Sequence, residues 1–438
     1  MQFNKLGLSE SLLSAIKMSG YERPTSIQEK AIPAILSGRD VMAAAQTGTG
    51  KTAGFTLPIL ELLNCKSQNT PQGIRALVLT PTRELAAQVK DSIEKYGKNE
   101  KLKFGLVFGG VNINSQKKEL KEGLDILIAT PGRLLDLYQQ QAIQFNKIEI
   151  LILDEADRML DMGFIADIRR ILKLMPKKRQ NLMFSATFSD EIRKLAKTIC
   201  YKPIEIDVAP RNSTVKLISQ KLFMVDKTEK VDLLCAIVRS TPDQALVFIR
   251  TKYGANNLVK KLNRNKISSL AIHGNKSQSQ RTKALTAFKN DEVQVLVATD
   301  IAARGIDIDQ LASVINFDLP QVPEDYVHRI GRTGRAGARG NAISLVSMEY
   351  KKQLRDIERV IKKPIPLADI AEFRSLLPSV EKHKQSSLNR DNKKEQQKKD
   401  MPNRRRHRRK KTNNGEKGKR AGSQICNDKR GSKAAINV

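Results

Sequence analysis

The stretch DVMAAAQTGTGKT, residues 40–52, decides the first half of the fold. Its beginning, Asp40–Ala44, is a short apolar run of the kind that forms a central strand of a parallel sheet. The two glycines that follow allow backbone N–H groups to close around phosphate oxygens, while Lys51 would neutralise them and Thr52 can ligate Mg²⁺. The stretch therefore predicts a phosphate-binding strand–loop–helix. Ala45 replaces the first glycine of the usual pattern, and a chance glycine-rich turn is the alternative.

Similar apolar runs continue through the first 350 residues and alternate with longer amphipathic stretches. Further runs are Ala76–Thr80, Asp125–Ala129, Ile148–Leu153, Leu182–Phe184, Ala245–Ile249, Leu270–Ile272, Val293–Ala298, Val314–Phe317 and Ala342–Val346. Runs this short, closed by turn residues, favour strands linked by crossover helices over buried helix segments. The non-periodic stretch Asp207–Lys216 divides them into two sets. We predict α/β domains at residues 1–207 and 217–365, joined by a linker at 208–216.

Charge points to a polyanionic partner. The 438 residues include 78 Lys or Arg and 46 Asp or Glu, a net charge of +32. Residues 381–438 hold twenty basic and six acidic side chains, and no aromatic residue follows Phe373. Such an excess favours nucleic acid first and an anionic membrane second. We predict that residues 366–438 form a basic, mostly disordered tail.

Composition also excludes several classes of protein. The 40% hydrophobic content is too high for a wholly disordered chain, and the absence of Trp argues against an aromatic-rich lectin. Four separated cysteines without a CxxC pair predict neither a zinc site nor a disulfide framework, and suit a reducing compartment. The sequence has no apolar run of about 18 residues and no secretory signal pattern. We therefore expect a cytoplasmic protein that does not associate with membranes.

The acidic segment DEAD, Asp154–Asp157, follows the run Ile148–Leu153. A carboxylate at the end of a parallel strand is where a nucleotide site needs its Mg²⁺ partner. Asp154 would hold the metal, and Glu155 would position and deprotonate the attacking water. Alone, four such residues could equally begin a helix, where their charges favour the helix dipole. A phosphate loop about a hundred residues upstream favours the nucleotide site.

The segment HRIGRTGR, His328–Arg335, places three arginines among glycines. Arginines on such a loop are poor core material and good phosphate ligands. If the loop faces the phosphate site of the first domain, Arg332 and Arg335 could act as arginine fingers. A solvated basic loop is the alternative.

Further short motifs lie in the order that a known family has. They are YERPTSIQ (Tyr21–Gln28), PTREL (Pro81–Leu85), Gly109–Gly110, TPGR (Thr130–Arg133), SAT (Ser185–Thr187), FIRT (Phe248–Thr251), QSQR (Gln278–Arg281) and ATDIAARGIDI (Ala298–Ile308). Over about residues 1–350 the chain resembles DEAD-box RNA helicases, which are superfamily 2 ATPases with two tandem RecA-like domains. The chain resembles the bacterial RhlE group in three features: the segment HGNKSQ (His273–Gln278), the short N-terminus and the basic tail. Asn275 departs from the Asp of many relatives.

The resemblance implies ATP and Mg²⁺ as cofactors and assigns residues to each role. The ATP-binding residues would be Phe3, Arg23, Gln28, Gln46, Thr47, Gly48, Thr49, Gly50, Lys51, Thr52 and Asp307, with Thr52 and Asp154 holding the metal. The catalytic residues would be Lys51, Glu155, Arg332 and Arg335. RNA would be bound by Pro81, Thr82, Arg83, Gly109, Gly110, Thr130, Pro131, Gly132, Arg133, Arg250, Gly274, Gln278, Arg281, Thr299 and Asp300. The two sites would be coupled by Asp157, Ser185, Thr187, Arg304 and His328.

The implied activity is RNA-stimulated ATP hydrolysis that separates short RNA duplexes or remodels RNA–protein complexes. Contacts mainly to phosphates and 2′-OH groups would make RNA binding largely independent of sequence. Ribosome-assembly or RNA-degradation proteins are the partners that the family suggests. Two alternatives remain. The first is a non-catalytic, ATP-gated RNA clamp, against which Glu155, Arg332 and Arg335 argue. The second is a DNA helicase or translocase, which the DEAD segment and the stretch YERPTSIQ (Tyr21–Gln28), which resembles the Q motif of the family, disfavour.

Overall fold

The structure is a computed structural model, and all of its described residues belong to one compact unit. The described residues are 2–45, 48–65, 73–186, 188–208, 218–241, 243–303, 308, 311–334, 340–371 and 373. Most of the predicted linker, and the predicted tail beyond residue 373, lie outside them.

The first domain contains a parallel sheet. Its strands are β1 Val41–Ala44, β2 Ala76–Leu79, β3 Phe104–Val107, β4 Ile126–Ala129, β5 Ile150–Leu153, β6 Gln180–Ser185 and β7 Ile204–Asp207. Among the described residues the strand order is β3-β4-β2-β5-β6-β1-β7. Strand β5 shows why the central runs are continuously apolar: Ile150 and Ile152 join the core on one face of the sheet, while Leu151 and Leu153 join the core on the other.

Helices cover both faces of this sheet. They are α1 Glu10–Met18, α2 Ser26–Leu36, α3 Lys51–Cys65, α4 Arg83–Tyr96, α5 Ile113–Lys121, α6 Pro131–Gln139, α7 Ala156–Asp161, α8 Ile165–Lys173 and α9 Asp190–Ile199, and a 3₁₀ turn spans Phe3–Lys5. Helix α9 shows how the sequence sets the start of a helix and its buried face. Ser189 caps it by accepting a hydrogen bond from the Ile192 N–H at 3.3 Å, and buried Leu195 and Ile199 follow at helical spacing.

The second domain repeats this plan. Its strands are β8 Ile218–Met224, β9 Ala245–Phe248, β10 Ser269–Ile272, β11 Val295–Ala298, β12 Ser313–Asn316 and β13 Gly340–Val346. Its helices are α10 Lys230–Ser240, α11 Lys252–Arg264, α12 Gln278–Lys289, α13 Asp300–Ala303, α14 Glu324–Ile330 and α15 Lys351–Ile361, with a 3₁₀ turn at Met348–Tyr350. The described strands pair in parallel in the order β10-β11-β9-β12-β13-β8. None of the described helices is long and apolar enough to cross a membrane.

All ten predicted strands are present, with ends shifted by at most two residues. The sequence patterns did not indicate β3, β7 and β8. Each of these three strands lies at an edge of its sheet. Burial in β3 alternates between intermediate and buried residues, because an edge strand covered on one face needs no continuous apolar run.

The second domain continues past residue 365. The Leu222 N–H donates to the Pro366 carbonyl at 2.9 Å, and the Ala368 N–H donates to the Leu222 carbonyl at 2.8 Å. The ring of Phe373 lies 5.6 Å from that of Phe223. Part of the segment assigned to the tail therefore pairs with β8, whose edge position leaves backbone groups available.

The predicted motifs of the first domain lie at the carboxyl ends of its parallel strands. The loops that follow β1, β2, β4, β5 and β6 carry the phosphate loop, PTREL, TPGR, DEAD and SAT, respectively. Because parallel strands end at the same edge, these five loops gather at the carboxyl ends of the first sheet. That edge is where the candidate site lies.

Candidate functional site

The loop between β1 and α3 depends on glycine geometry. Gly48 and Gly50 have φ values of 82° and 86°, in the left-handed region that favours glycine. A side chain on Gly50 would collide with Gln28, whose Nε2 donates to the Gly50 carbonyl at 3.1 Å. Helix α3 begins at Lys51, so its N-terminal N–H groups can bind an anion in front of the loop. Gln46 and Thr47 lie outside the described residues.

A cavity of about 480 Å³ opens in front of this loop and is lined by Lys51, Thr52, Asp154 and Glu155. Lys51 is 6% exposed and Asp154 is 2% exposed. Neither the Lys51 Nζ nor the Asp154 Oδ1 has a hydrogen-bond partner among the described residues. Burying charged groups without partners is costly. The two groups therefore fit a ligand that brings a phosphate to Lys51 and a divalent cation to Asp154.

The DEAD segment begins where β5 ends. The Asp154 N–H donates to the Leu79 carbonyl at 3.0 Å, which fixes the segment against β2. Burial raises the pKa of the Asp154 carboxyl to about 7, with Lys51 opposing the shift and Glu155 adding to it. Glu155 has a φ of 56°, a left-handed conformation that is uncommon for a residue other than glycine. Such strained residues cluster at functional sites.

The other end of the cavity is polar and aromatic. Its described lining includes Tyr21, Arg23, Thr25, Gln28, Gln88, Asp91, Ser92, Lys95 and Tyr96. Gln28 uses both ends of its amide inside the protein, because its Oε1 also accepts from the Thr25 N–H at 3.0 Å. This amide therefore connects the Q motif to the phosphate loop.

The described aromatic residues that line this cavity are Tyr21 and Tyr96, and the predicted Phe3 is not among them. Phe3, expected to stack on adenine, is 7% exposed, packs in the core of the first domain and is not among the described lining residues. Tyr21 lines the cavity and is 47% exposed. The Lys95 ammonium lies 5.3 Å from its ring centroid. Tyr21 belongs to the Q motif, but the motif alone predicted no role for it.

Asp157 connects the DEAD segment to the SAT segment. Its Oδ2 accepts from the Ala186 N–H at 2.9 Å, and its Oδ1 accepts from the Arg158 N–H at 3.0 Å. Ser185 is fully buried at the end of β6. Asp157 therefore bonds to the backbone next to Ser185, a second predicted coupling residue, while Thr187 lies outside the described residues.

A small second cavity brings Arg158 together with the second domain. The second-domain residues that line it are Phe248, Asp300, Ala303, Asp325, His328, Arg329 and Arg332. Arg332 is 3% exposed, and the His328 Nδ1 is buried without a hydrogen bond among the described residues. Arg332 lines this small cavity with Arg158 and is not among the described residues that line the 480 Å³ cavity. Arg304, Asp307 and Arg335 lie outside the described residues.

Asp300, predicted to contact RNA, is engaged by Arg329. The Arg329 Nε and Nη2 donate to the two Asp300 carboxylate oxygens at 2.5 and 2.7 Å. Its Nη1 donates to the Asn316 Oδ1 at 3.0 Å, and its guanidinium stacks on Phe248 at 4.9 Å. Arg329 is 2% exposed and fixes the start of α13 against the sheet. The sequence motifs predicted no role for Arg329.

A groove of about 490 Å³ is lined by both domains. Its described lining includes Pro81, Thr82, Arg83, Gly109, Thr130, Gly132 and Arg133 from the first domain and Gly274 and Arg281 from the second. Burial and the nearby guanidinium groups of Arg281 and Arg133 lower the pKa of Arg83, although Glu84 opposes the shift. Arg83 packs so closely on Gly110 that a side chain there would overlap it. Three guanidinium groups and the carboxylates of Glu84 and Asp136 line the groove, so its described lining carries a net positive charge.

Glu84 connects the two sides of this groove. Its Oε1 accepts from the Gln278 Nε2 at 3.0 Å, and its Oε2 pairs with the Arg281 Nη2 at 2.8 Å. Glu84 and Arg281 are 6% and 8% exposed. Two residues predicted to bind RNA thus contact an acidic side chain of the other domain, which the sequence analysis had quoted only as part of PTREL.

Two other predicted RNA contacts, Arg250 and Thr299, are not among the described residues that line the groove. The Arg250 guanidinium stacks on Tyr350 at 4.8 Å, and its Nη2 donates to the Gln353 Oε1 at 3.4 Å. Thr299 is 7% exposed at the start of α13. Pro131 is buried at the first position of α6, behind the groove.

Comparison with known proteins agrees with this geometry. Residues 25–195 match the DEAD/DEAH box helicase family, and residues 229–337 match the helicase conserved C-terminal domain. The chain is 45% identical over 370 residues to the DEAD-box ATP-dependent RNA helicase RhpA of Helicobacter pylori, covering 84% of this chain and 74% of that protein. It is 42% identical over 369 residues to the ATP-dependent RNA helicase CshA of Limosilactobacillus reuteri, covering 84% and 73%. The chain belongs to the DEAD-box RNA helicase family.

A solved structure extends this result to the fold. Dbp5 of S. cerevisiae bound to RNA and ADP BeF3 matches with a TM-score of 0.74 and 31% identity, covering 86% of this chain and 97% of that one. The predicted fold class, two RecA-like parallel-sheet domains, is confirmed for the described residues. Assignment of this DEAD-box protein to the RhlE group stays a prediction.

Proposed function

We propose that this chain is an RNA-stimulated ATPase that binds RNA with little sequence preference and separates short RNA duplexes or remodels RNA–protein complexes. One observation carries the proposal: the buried Lys51 Nζ and Asp154 Oδ1, which have no hydrogen-bond partner among the described residues, share a cavity with Glu155. PTREL residues also line a basic groove that both domains form. The relatives named as ATP-dependent RNA helicases support the same activity.

The phosphate end of the cavity supports ATP hydrolysis. Lys51 would bind the β- and γ-phosphates, and Thr52 and Asp154 would hold Mg²⁺. No group of three or more His, Cys, Asp or Glu in the described part of the chain could hold a metal ion, which suits a Mg²⁺ ion that is held partly by substrate phosphates. When bound, Mg²⁺ neutralises charge on the phosphate oxygens. Gln28, Arg23 and Tyr21 would bind the base end of ATP.

Glu155 would act on the attacking water. The water oxygen bonds to the γ-phosphorus while the bond to the bridging oxygen of the β-phosphate breaks. ADP leaves with that oxygen and its electron pair, and the water proton passes to the Glu155 carboxylate and then to solvent. Arg332 and Arg335 would add positive charge from the second domain as the cleft closes.

The basic groove supports RNA as the substrate. Arg83, Arg133 and Arg281 would bind backbone phosphates, and backbone N–H groups near the glycines would add contacts that carry no base information. Closure of both domains on one strand would bend it and separate a short duplex. We further propose the cytoplasm as the compartment, and ribosome-assembly or RNA-degradation proteins as partners.

The test compares two variants of the first domain with a control. We expect Glu155→Gln to retain ATP and RNA binding and to lose RNA-stimulated turnover by on the order of 10²–10⁴-fold, because a general base acts only in the transition state. Lys51→Ala should weaken nucleotide binding as well. The control is Glu94→Gln, which changes an exposed glutamate paired with Lys90. Near-parent turnover of Glu155→Gln would refute the assignment, and equal stimulation by DNA of the same sequence would refute RNA as the substrate.

A further inference from the structure

The carboxylate of Glu155 is held by an arginine that the sequence motifs do not explain. The Arg158 Nη1 donates to the Glu155 Oε2 at 2.9 Å. Glu155 precedes α7 and Arg158 lies within its first turn, so the two side chains meet at a spacing of three residues. The contact engages Oε2, and within the described part of the chain no hydrogen bond to Oε1 is present, so Oε1 can accept one from water.

This pair differs from the other arginine–carboxylate pairs at the same spacing. The Arg158 and Glu155 side chains are 6% and 5% exposed, whereas those of Arg170 and Asp167 are 62% and 23% exposed. An exposed pair of this kind contributes little to the stability of the fold, because water screens both charges. In a buried pair, each partner is the main compensation for the charge of the other. Loss of Arg158 would therefore change how Glu155 is held.

Arg158 also faces the second domain. Its side chain lines the small cavity that Asp300, Asp325, His328 and Arg332 complete. Glu155 itself lines the nucleotide cavity. Arg158 therefore lies between the residue that would act on water and the second-domain residues that would respond to cleft closure.

We propose that Arg158 is a positioning residue that aims the Glu155 carboxylate at the attacking water and makes its orientation depend on the position of the second domain. The inference rests on the proposed function, because it takes Glu155 as the group that orients water. The left-handed backbone conformation at Glu155 supports this role, because it must be held in place by surrounding contacts. A strained residue persists only where its surroundings fix it, and the ion pair is one such restraint.

The first experiment separates turnover from binding. We expect Arg158→Met to lower the RNA-stimulated kcat by on the order of 10–10²-fold, since a small misplacement of a catalytic group has effects of that size. The KM for ATP, and ADP affinity measured by titration, should change less than twofold. Arg158→Lys should recover at least part of the turnover, because it keeps the charge without the planar fork. Arg170→Met is the matched control and should behave as the parent.

The second experiment places the same change on the Glu155→Gln background. If Arg158 acts through Glu155, the double variant should have no lower single-turnover rate than Glu155→Gln alone. Arg158→Met should also lower the melting temperature less on that background, because the charge pair is already absent. This readout needs no bound nucleotide.

The outcomes distinguish the inference from the proposed function. An unchanged kcat in both Arg158 variants, or a loss that persists undiminished on the Glu155→Gln background, would overturn the positioning role alone. Near-parent turnover of Glu155→Gln by itself would overturn the assignment of Glu155 and the positioning role together. Three results together would support both the proposed function and the positioning role. Arg158→Met lowers kcat with unchanged ATP binding, Arg158→Lys recovers part of the turnover, and Arg158→Met has no further effect on the Glu155→Gln background.

Discussion

Buried carboxylates at the amino and carboxyl ends of the strands in the first sheet differ in their hydrogen bonding. Asp40, just before β1, is 8% exposed, and its carboxylate accepts hydrogen bonds from the Asn181 and Tyr201 N–H groups at 2.7 Å each. Asp154, just after β5, is buried with its Oδ1 unpartnered among the described residues. Since buried polar atoms are normally hydrogen-bonded, the unpaired atom indicates a ligand site and the paired one a structural role.

His273 follows the structural pattern. Its Nε2 lies 3.1 Å from the Asn256 Oδ1, and its Nδ1 accepts from the Asn275 N–H at 3.3 Å. An Nδ1 that accepts must be unprotonated, so these contacts require the neutral ring. Burial, with the nearby charges of Lys276, Lys252 and Arg281, lowers its pKa from the ordinary value of 6.5.

The lowered pKa of His273 predicts that the free energy of unfolding depends on pH. As pH falls through about 6.5, the unfolded chain binds a proton at His273 that the folded chain resists, so the free energy of unfolding decreases. Above that pH both states are neutral and the effect is absent. We expect His273→Gln to remove this contribution, which denaturant titrations between about pH 5 and 8 would measure. Parallel pH profiles for the parent and the variant would contradict the expectation.

At the scale of elements, strands with a continuous apolar run could be predicted from the sequence, including the edge strand β10, whereas the edge strands β3, β7 and β8 could not. Strands β5 and β11 are buried on both faces, and their runs of Val, Ile and Leu are unmistakable. Strands β7 and β8 carry polar residues within the strand because one face or edge meets solvent. Their position depends on pairing with distant segments, which no local pattern encodes.

Helices α4 and α12 meet through Glu84, and this contact has a measurable energy. The Glu84 and Arg281 side chains are 4% and 10% exposed, so their charges are weakly screened. We expect a double-mutant cycle of Glu84→Gln and Arg281→Gln to give a coupling energy on the order of 1–3 kcal/mol in the free energy of unfolding. The exposed pair Lys90–Glu94 is the control and should give no more than about 0.5 kcal/mol. Equal coupling in the two cycles would show that Glu84 does not hold the domains together.

At the scale of the whole molecule, the sequence indicated which motifs form the site but not all of their contacts. Glu84 and Gln278 lie 194 positions apart, and nothing in either motif indicates that they bond. Arg158 follows the DEAD segment directly, yet its contact with the second-domain cavity depends on how the chain folds. The placement of Phe3 in the core and of Tyr21 in the cavity likewise depends on packing. Motifs therefore assign chemistry to loops, whereas partners depend on tertiary structure.

Charge is also divided unevenly along the molecule, and this predicts separate roles. Residues 381–438 carry a net charge of +14 from twenty basic and six acidic side chains. They have no aromatic residue, so they can attract phosphates but cannot stack on bases. Every residue assigned to catalysis lies before residue 340. The segment should therefore add RNA affinity and faster association without adding sequence preference or changing chemistry.

Ending the chain after Lys382 tests this division. We expect weaker RNA binding and a flatter salt dependence, by about 0.7 log units of affinity per log unit of salt for each RNA phosphate that the shortened chain no longer neutralises. Replacing the seven basic residues of the run 403–411 with Gln should give an intermediate slope. The ATPase rate at saturating RNA should stay near that of the parent. An unchanged salt slope would mean that the segment does not hold RNA, and a collapse of the saturating rate would mean that it belongs to the catalytic machinery.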